Sequence, residues 1–193
     1  MKKTVLYGII GAAIWIVLKL IFHAFSKNDA SIAPAIFSNM FLLLVTTAYG
    51  LYQHKIKEGF LSGNALSDIK TALTIAIPYS IIVALFLVFY YKQINPEYNQ
   101  LQIQKAEISI DKDVDNPISL KKMKKDNESF EVMEKEKIRI ELKKGPKRFY
   151  NANTTGLISL LALMMLSTIY SIFITVVYRK VLSKGFSKIS ESK

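Results

Sequence analysis

The chain contains no cysteine, and the four long apolar runs that dominate it contain no Asp or Glu. The absence of cysteine excludes disulfide bonds, thiolate metal sites and a thiol nucleophile. The two histidines, His23 and His54, belong to none of the short motifs that mark zinc proteases, serine hydrolases or phosphate-binding loops. The sequence therefore predicts a non-enzymatic protein without a catalytic residue, metal site or cofactor.

The four apolar runs cover residues 4–22, 32–52, 71–91 and 157–178. Each has about 20 residues, and at ~1.5 Å rise per residue a helix of that length crosses a ~30 Å hydrocarbon layer. The first run contains Lys19 and is followed by no small-x-small cleavage pattern, so it is predicted to be retained as a span. The predicted fold class is therefore all-α, an integral membrane four-helix bundle.

The predicted organisation has three parts. Residues 1–91 form three spans, with a short polar turn at 26–31 and a second connection at 53–70, where Asn64 or Ser67 can cap the third span. Residues 92–156 form a long, charged and water-soluble loop, which is expected to be part-helical. Residues 157–193 form the fourth span and a basic tail.

The long loop carries mixed structural signals. Asn95-Pro96 and Asn116-Pro117 have the pattern of helix starts, and Gly145-Pro146 that of a stop, which favours one helix over 117–144. Residues 101–112 alternate with period two, as a strand does, so helix and strand both stay open for them. An unstructured segment within the loop is a third reading.

The charge distribution predicts the orientation in the membrane. The net charge is +11, and the N-terminus, the second connection and the C-terminal tail carry most of the Lys and Arg residues close to the span ends. These three segments share one side of a four-span protein, whereas the first connection offers only Lys27. By the positive-inside rule both termini are predicted to be cytoplasmic, which places the 92–156 loop outside. The expected location is the bacterial inner membrane.

Polar residues inside the spans are the candidates for a functional role, because burying them in lipid is costly. They are Lys19, Asn39, Tyr79 and Ser80. Lys19 lies less than one turn from the end of its span, so its stem is expected to reach the headgroups. Asn39 is expected to hydrogen-bond across the bundle, and Tyr79 with Ser80 could line a small polar pocket.

Two further surfaces are candidates for contacts. Gly8, Gly11 and Ala12 give the first span a small-residue face, which allows close helix approach within the bundle or against another chain. The densest basic cluster lies in the long loop and could contact anionic headgroups. It comprises Lys121, Lys122, Lys124 and Lys125. The alternative for this cluster is a solvated helix face that is balanced by nearby acids.

Three segments carry a resemblance to a known family. They are residues 58–66 (EGFLSGNAL), 90–97 (YYKQINPE) and 177–180 (VYRK). With the number of spans, the position of the long loop and the basic tail, they resemble domain-of-unknown-function family 4199, small four-span membrane proteins of Bacteroidota. The resemblance implies the fold and no activity, substrate or catalytic residue.

The function predicted from the sequence is that of an interaction or accessory subunit in the membrane. The spans lack the acids, paired charges and broken helices that transport usually requires. The expected partners are the lipid bilayer and either another membrane protein or a second copy of the chain, and not nucleic acid. The alternative is a small-solute or ion pathway in a homo-oligomer, lined by the four intramembrane polar residues.

Overall fold

The computed structural model describes residues 2–25, 32–59 and 62–182. In this part of the chain nearly every residue is helical and none is in a strand. The helices are α1 (Lys2–Phe25), α2 (Ile32–Glu58), α3 (Ala65–Phe89), α4 (Pro96–Asp115), α5 (Pro117–Asp126), α6 (Glu128–Glu131), α7 (Lys135–Phe149) and α8 (Ala152–Val177). Single π-helical turns, Tyr90–Ile94 and Tyr178–Leu182, extend α3 and α8.

The four predicted spans are confirmed as helices long and apolar enough to cross a membrane. With their π-helical turns they run over Lys3–Phe25, Ile32–Glu58, Ala65–Ile94 and Ala152–Val181. The helices are longer than the apolar runs because polar residues at their ends continue the same backbone hydrogen bonding. The predicted turn at 26–31 and the tail beyond residue 182 lie outside the described residues.

The starts of α3, α4 and α5 are each capped by an asparagine that accepts from a free backbone N–H group. The Oδ1 atom of Asn64 accepts from Ser67 N at 2.8 Å and starts α3, which confirms Asn64 as the cap. Asn95 accepts from Tyr98 N at 3.3 Å, with Pro96 at the first helical position of α4. Asn116 accepts from Ile118 N at 2.9 Å and starts α5 in the same way. Both predicted Asn-Pro helix starts are therefore confirmed.

The predictions for the rest of the long loop need two corrections. The strand reading of 101–112 is wrong, because these residues continue α4. The single helix over 117–144 is also wrong: it is interrupted at Asn127, which caps α6, and again before α7 begins at Lys135. The predicted stop at Gly145-Pro146 fails as well, since α7 continues to Phe149. Pro146 removes only the one hydrogen bond that its missing N–H would donate, and the ion pairs of Lys143 and Lys147 on either side of it hold α7 against α4.

The chain divides into two compact units. The membrane unit contains Met1–Phe86 and Ile158–Lys193, and the loop unit contains Leu87–Leu157. In the membrane unit the core is built from small and aliphatic side chains, among them Ala12, Leu43, Ile75 and Val83. In the loop unit α4 and α7 pack side by side, with Val114 and Ile138 fully buried.

Candidate functional site

A group of three charged side chains, two buried and one partly exposed, joins α2, α3 and the π-helical turn after α8 at the end of the membrane unit where α1 begins. Lys55 Nζ lies 2.6 Å from Asp68 Oδ1, and their side chains are 4% and 3% exposed. Arg179 donates from Nε to Asp68 Oδ2 at 2.7 Å, and its Nη2 lies at the same distance from that oxygen. The single carboxylate of Asp68 is therefore the counter-ion of two cations, Lys55 and Arg179, whose helices are distant in sequence.

The connection between α2 and α3 brings this charged triad (Lys55, Asp68 and Arg179) together. Gly59 and Gly63 adopt positive φ angles of 94° and 71°, which L side chains rarely adopt, so the chain reverses tightly after α2. Lys55 Nζ also donates to the carbonyl of Ser62 at 2.7 Å, which ties the reversal to α2. Asp68 then falls in the first turn of α3, where the helix dipole favours an anion.

The sequence analysis did not identify the three residues of the triad as candidates. The apolar run assigns Asp68 to the connection 53–70, and the Lys and Arg residues at the span ends read as orientation signals. The structure starts α3 at Ala65 and thereby makes Asp68 a helical residue that faces the bundle. The sequence feature that could have identified the triad is one acid and two bases in the terminal turns of helices at the same end of the spans.

The intramembrane polar residues form two separate pairs. Tyr79 donates its hydroxyl to Asn39 Oδ1 at 2.7 Å, between α3 and α2. Ser80 lies 3.0 Å from Ser167, Oγ to Oγ, between α3 and α8. Tyr79 and Ser80 are neighbours on a helix, so they point to different partners. The expected hydrogen bond of Asn39 across the bundle is present. Tyr79 and Ser80 were expected to line one small polar pocket, but their hydrogen bonds join α3 to two different helices.

Lys19 is buried in the membrane unit. Only 3% of the residue is exposed. Its side chain is therefore enclosed by the bundle and does not extend to the headgroups, contrary to what the sequence led us to expect. One turn earlier on α1, Trp15 donates from Nε1 to the carbonyl of Ala35 at 3.0 Å and packs edge-on against Phe86. The helices that surround this face of α1 therefore enclose the lysine.

We expect the substitution Tyr79→Phe to lower the stability of the membrane unit by about 0.5–2 kcal/mol. The reason is that Asn39 Oδ1 loses its donor while it stays buried. Tyr49→Phe is the matched control, because Tyr49 is half exposed and only its ring contact with Tyr7 is involved. Thermal unfolding in detergent measures both. Equal midpoints for the two variants would show that the Tyr79 hydrogen bond does not stabilise the fold.

The small-residue face of α1 lies against other helices of the same chain. A Cβ atom at Gly8 would meet the carbonyl oxygen of Ile75 in α3, and one at Gly11 would meet the side chain of Thr46 in α2. Ala12 is fully buried. The small-residue face is therefore in contact with helices of the same chain. Of the two alternatives given for it, these contacts are those of packing within the bundle.

In the loop unit, acids at every fourth position of α4 face bases at every fourth position of α7. Arg139 contacts Asp111 and Asp115, at 3.3 Å and 2.6 Å. Lys143 lies 2.8 Å from Asp111, and Lys147 lies 3.3 Å from Glu107. Residues four apart share a helix face, so this seam aligns the two helices along their length.

Asp115 receives a second cation at the same seam. Lys135 Nζ lies 2.7 Å from its Oδ1 atom, and this hydrogen bond, helped by Arg139, holds the pKa of Asp115 below its usual value. A carboxyl group whose folded pKa is lowered stabilises the fold at pH values above its unfolded pKa. That contribution is lost as the pH falls through the lowered value, so acid weakens the contacts of Asp115 in the seam.

The segment that connects α4 to α7 presents both bases and apolar side chains. We call residues 116–134 the tip. Of the predicted lysine cluster, Lys121, Lys122 and Lys125 are exposed, whereas Lys124 donates to the carbonyl of Met133 at 2.8 Å and is committed to the fold. Ile118 and Val132 are 81% and 90% exposed. These two exposed apolar side chains and the three exposed lysines make the tip a candidate contact surface.

The four apolar helices and the ion-paired loop unit define the class: a multi-pass helical membrane protein with one folded connection between its third and fourth spans. Comparison with known proteins agrees with the resemblance found in the sequence. The family model described as protein of unknown function DUF4199 matches residues 6–180, and the chain belongs to this family. No curated protein and no solved structure matches the chain.

Proposed function

We propose that the protein is a non-enzymatic interaction or accessory subunit of the bacterial inner membrane. In this proposal both termini are cytoplasmic, the loop unit is outside, and its tip contacts another membrane protein or a second copy of the chain. The observation that carries the proposal is the exposure of Ile118 and Val132 on a folded, ion-paired hairpin. A hairpin held by its own seam can keep such side chains in fixed positions for a partner.

Two features favour the tip over the other candidate surface. The small-residue face of α1 is already covered by α2 and α3, so it is closed to an outside partner without opening the bundle. The basic side chains along α7 are largely paired with α4, whereas Lys121, Lys122 and Lys125 are exposed in the same segment as the apolar residues. An apolar contact with a rim of exposed charge is the usual composition of a protein interface.

The partner is tested by purification in mild detergent after cross-linking in whole cells. We expect a stoichiometric partner, or a dimer of the chain, to be recovered with the wild type and lost with Ile118→Ser combined with Val132→Ser. Lys112→Ser combined with Asp113→Ser is the matched control, since both residues are exposed in α4 and lie outside the tip. A wild-type chain that always purifies as a lone monomer would contradict the proposal.

The proposed orientation has a separate test, which the absence of cysteine makes simple. A membrane-impermeant maleimide should label Lys122→Cys in intact spheroplasts. It should label Lys57→Cys, at the opposite end of the spans, only after the membrane is permeabilised. The reverse pattern would place the hairpin in the cytoplasm and overturn this part of the proposal.

The transport alternative has less support. Asn39 is engaged with Tyr79, and Ser80 lies against Ser167, so three of the four proposed pathway residues hold neighbouring helices together. A pathway would need those pairs to separate. A solute-flux difference between wild type and Asn39→Leu in proteoliposomes would favour transport over the accessory role.

A further inference from the structure

A cleft opens between the first turns of α1 and the last turns of α2. Its volume is about 290 Å³, near the lower end of the range of small-molecule sites. The residues that line it are Lys3, Thr4, Tyr7, Gln53, His54, Lys57 and Glu58. The sequence analysis and the proposed function leave this cleft unassigned.

The charges in the cleft favour an anion. Glu58 is held by His54, whose Nε2 atom lies 3.1 Å from its carboxylate. Lys3 and Lys57 have no ion pair with any other residue that the structure describes. The two lysines and the one glutamate of the cleft carry a formal net charge of +1, which matches a single phosphodiester.

The position of the cleft points to a lipid as the source of that phosphodiester. Lys3 and Lys57 lie in the terminal turns of two spans, where helices leave the hydrocarbon layer. Further along α1 toward the bilayer centre, about half of the Leu6 and Ile10 side chains is exposed. A phospholipid with its phosphate between the two lysines could lay an acyl chain along these residues. Basic pockets between spans bind anionic headgroups in this way.

We propose that the cleft binds the phosphodiester headgroup of an anionic phospholipid, with Lys3 and Lys57 as phosphate ligands. His54 keeps the carboxylate of Glu58 turned toward itself, which limits its repulsion of the phosphate. Gln53 supplies an amide for a hydroxyl-bearing headgroup. The site belongs to the membrane–water interface and does not depend on which way the protein is oriented or on a partner at the tip.

The test measures lipid binding to the full-length protein in detergent by native mass spectrometry. Phosphatidylglycerol, phosphatidylcholine and inorganic phosphate are titrated separately. Wild type should prefer phosphatidylglycerol, and Lys3→Gln with Lys57→Gln should weaken that binding about 30-fold, from roughly fivefold per lysine. Lys112→Gln with Lys137→Gln removes the same charge from exposed positions of the loop unit outside the lysine cluster and should change the binding less than about twofold.

The arginine pair, Lys3→Arg with Lys57→Arg, should keep the preference for phosphatidylglycerol, since it keeps both charges. If the glutamine pair binds phosphatidylglycerol as tightly as wild type, the assignment fails. Equal binding of phosphatidylglycerol and phosphatidylcholine by wild type would also overturn it. Displacement of the lipid by an equal concentration of inorganic phosphate would show that the cleft takes free phosphate, which contradicts the lipid source.

Discussion

Replacing Asp68 by Asn should destabilise the membrane unit by about 3–5 kcal/mol, the largest effect expected for a single substitution in this chain. The carboxylate is 3% exposed and is the counter-ion of both Lys55 and Arg179. An amide of the same shape keeps the packing but leaves two cations near one another without an anion. The unfolding midpoint in detergent should fall by roughly 6–20 °C for a chain of this length.

Two further variants separate the role of the charge from other causes. Asp113→Asn removes an exposed carboxylate from α4 and should leave the midpoint unchanged. Lys55→Met combined with Asp68→Leu removes the buried pair and leaves Arg179, whose side chain is 30% exposed and can reach water. This double variant should recover most of the lost stability, because replacing a buried ion pair by apolar side chains is often neutral. A D68N protein as stable as wild type would show that the triad does not hold the helices together.

Substituting Gly8 by Ala should cost about 1–3 kcal/mol, although Ala is the better helix former. The new methyl group would meet the backbone carbonyl of Ile75, and a backbone cannot move aside as a flexible side chain can. The axes of α1 and α3 must therefore separate. Gly50→Ala should cost less, since its methyl group would meet the side-chain Cδ1 atom of the same Ile75 at 2.6 Å.

Gly145→Ala is the matched control for this prediction. Gly145 lies in α7 with no atom within 4 Å of an added Cβ, so the same change should be neutral or stabilising by about 0.5–1 kcal/mol. Midpoints of thermal unfolding for the three variants should follow the order G145A, G50A, G8A from most to least stable. If G8A unfolds at the wild-type temperature, α1 and α3 are not in backbone contact.

The sequence by itself determined the spans and most helix starts. Four apolar runs without acids can only be accommodated in lipid as helices, because every backbone group must then be hydrogen-bonded within its own segment. Asn64, Asn95 and Asn116 begin helices because a side-chain amide oxygen reaches an N–H group two or three residues on. Both features depend on neighbours in the chain, so the pattern alone is sufficient.

The sequence was less decisive where two periodicities competed. The alternation at 101–112 fits a strand, but Glu107, Asp111 and Asp115 also repeat at four-residue spacing, which is a helical period. The bases that pair with these acids lie on α7 and are Arg139, Lys143 and Lys147. Their ion pairs with α4 are formed with residues 101–112 in a helix. The four-residue spacing, which a helix places on one face, is the period that these contacts use.

Only the tertiary structure decided which charges and small residues meet. Asp68 and Arg179 are 111 positions apart, and no local rule selects one as the counter-ion of the other. Gly8 is small in the sequence for reasons that become visible only when the carbonyl of Ile75 lies against it. Ion pairing and close packing are properties of surfaces brought together by folding, whereas hydrophobic length and capping are properties of one segment of chain.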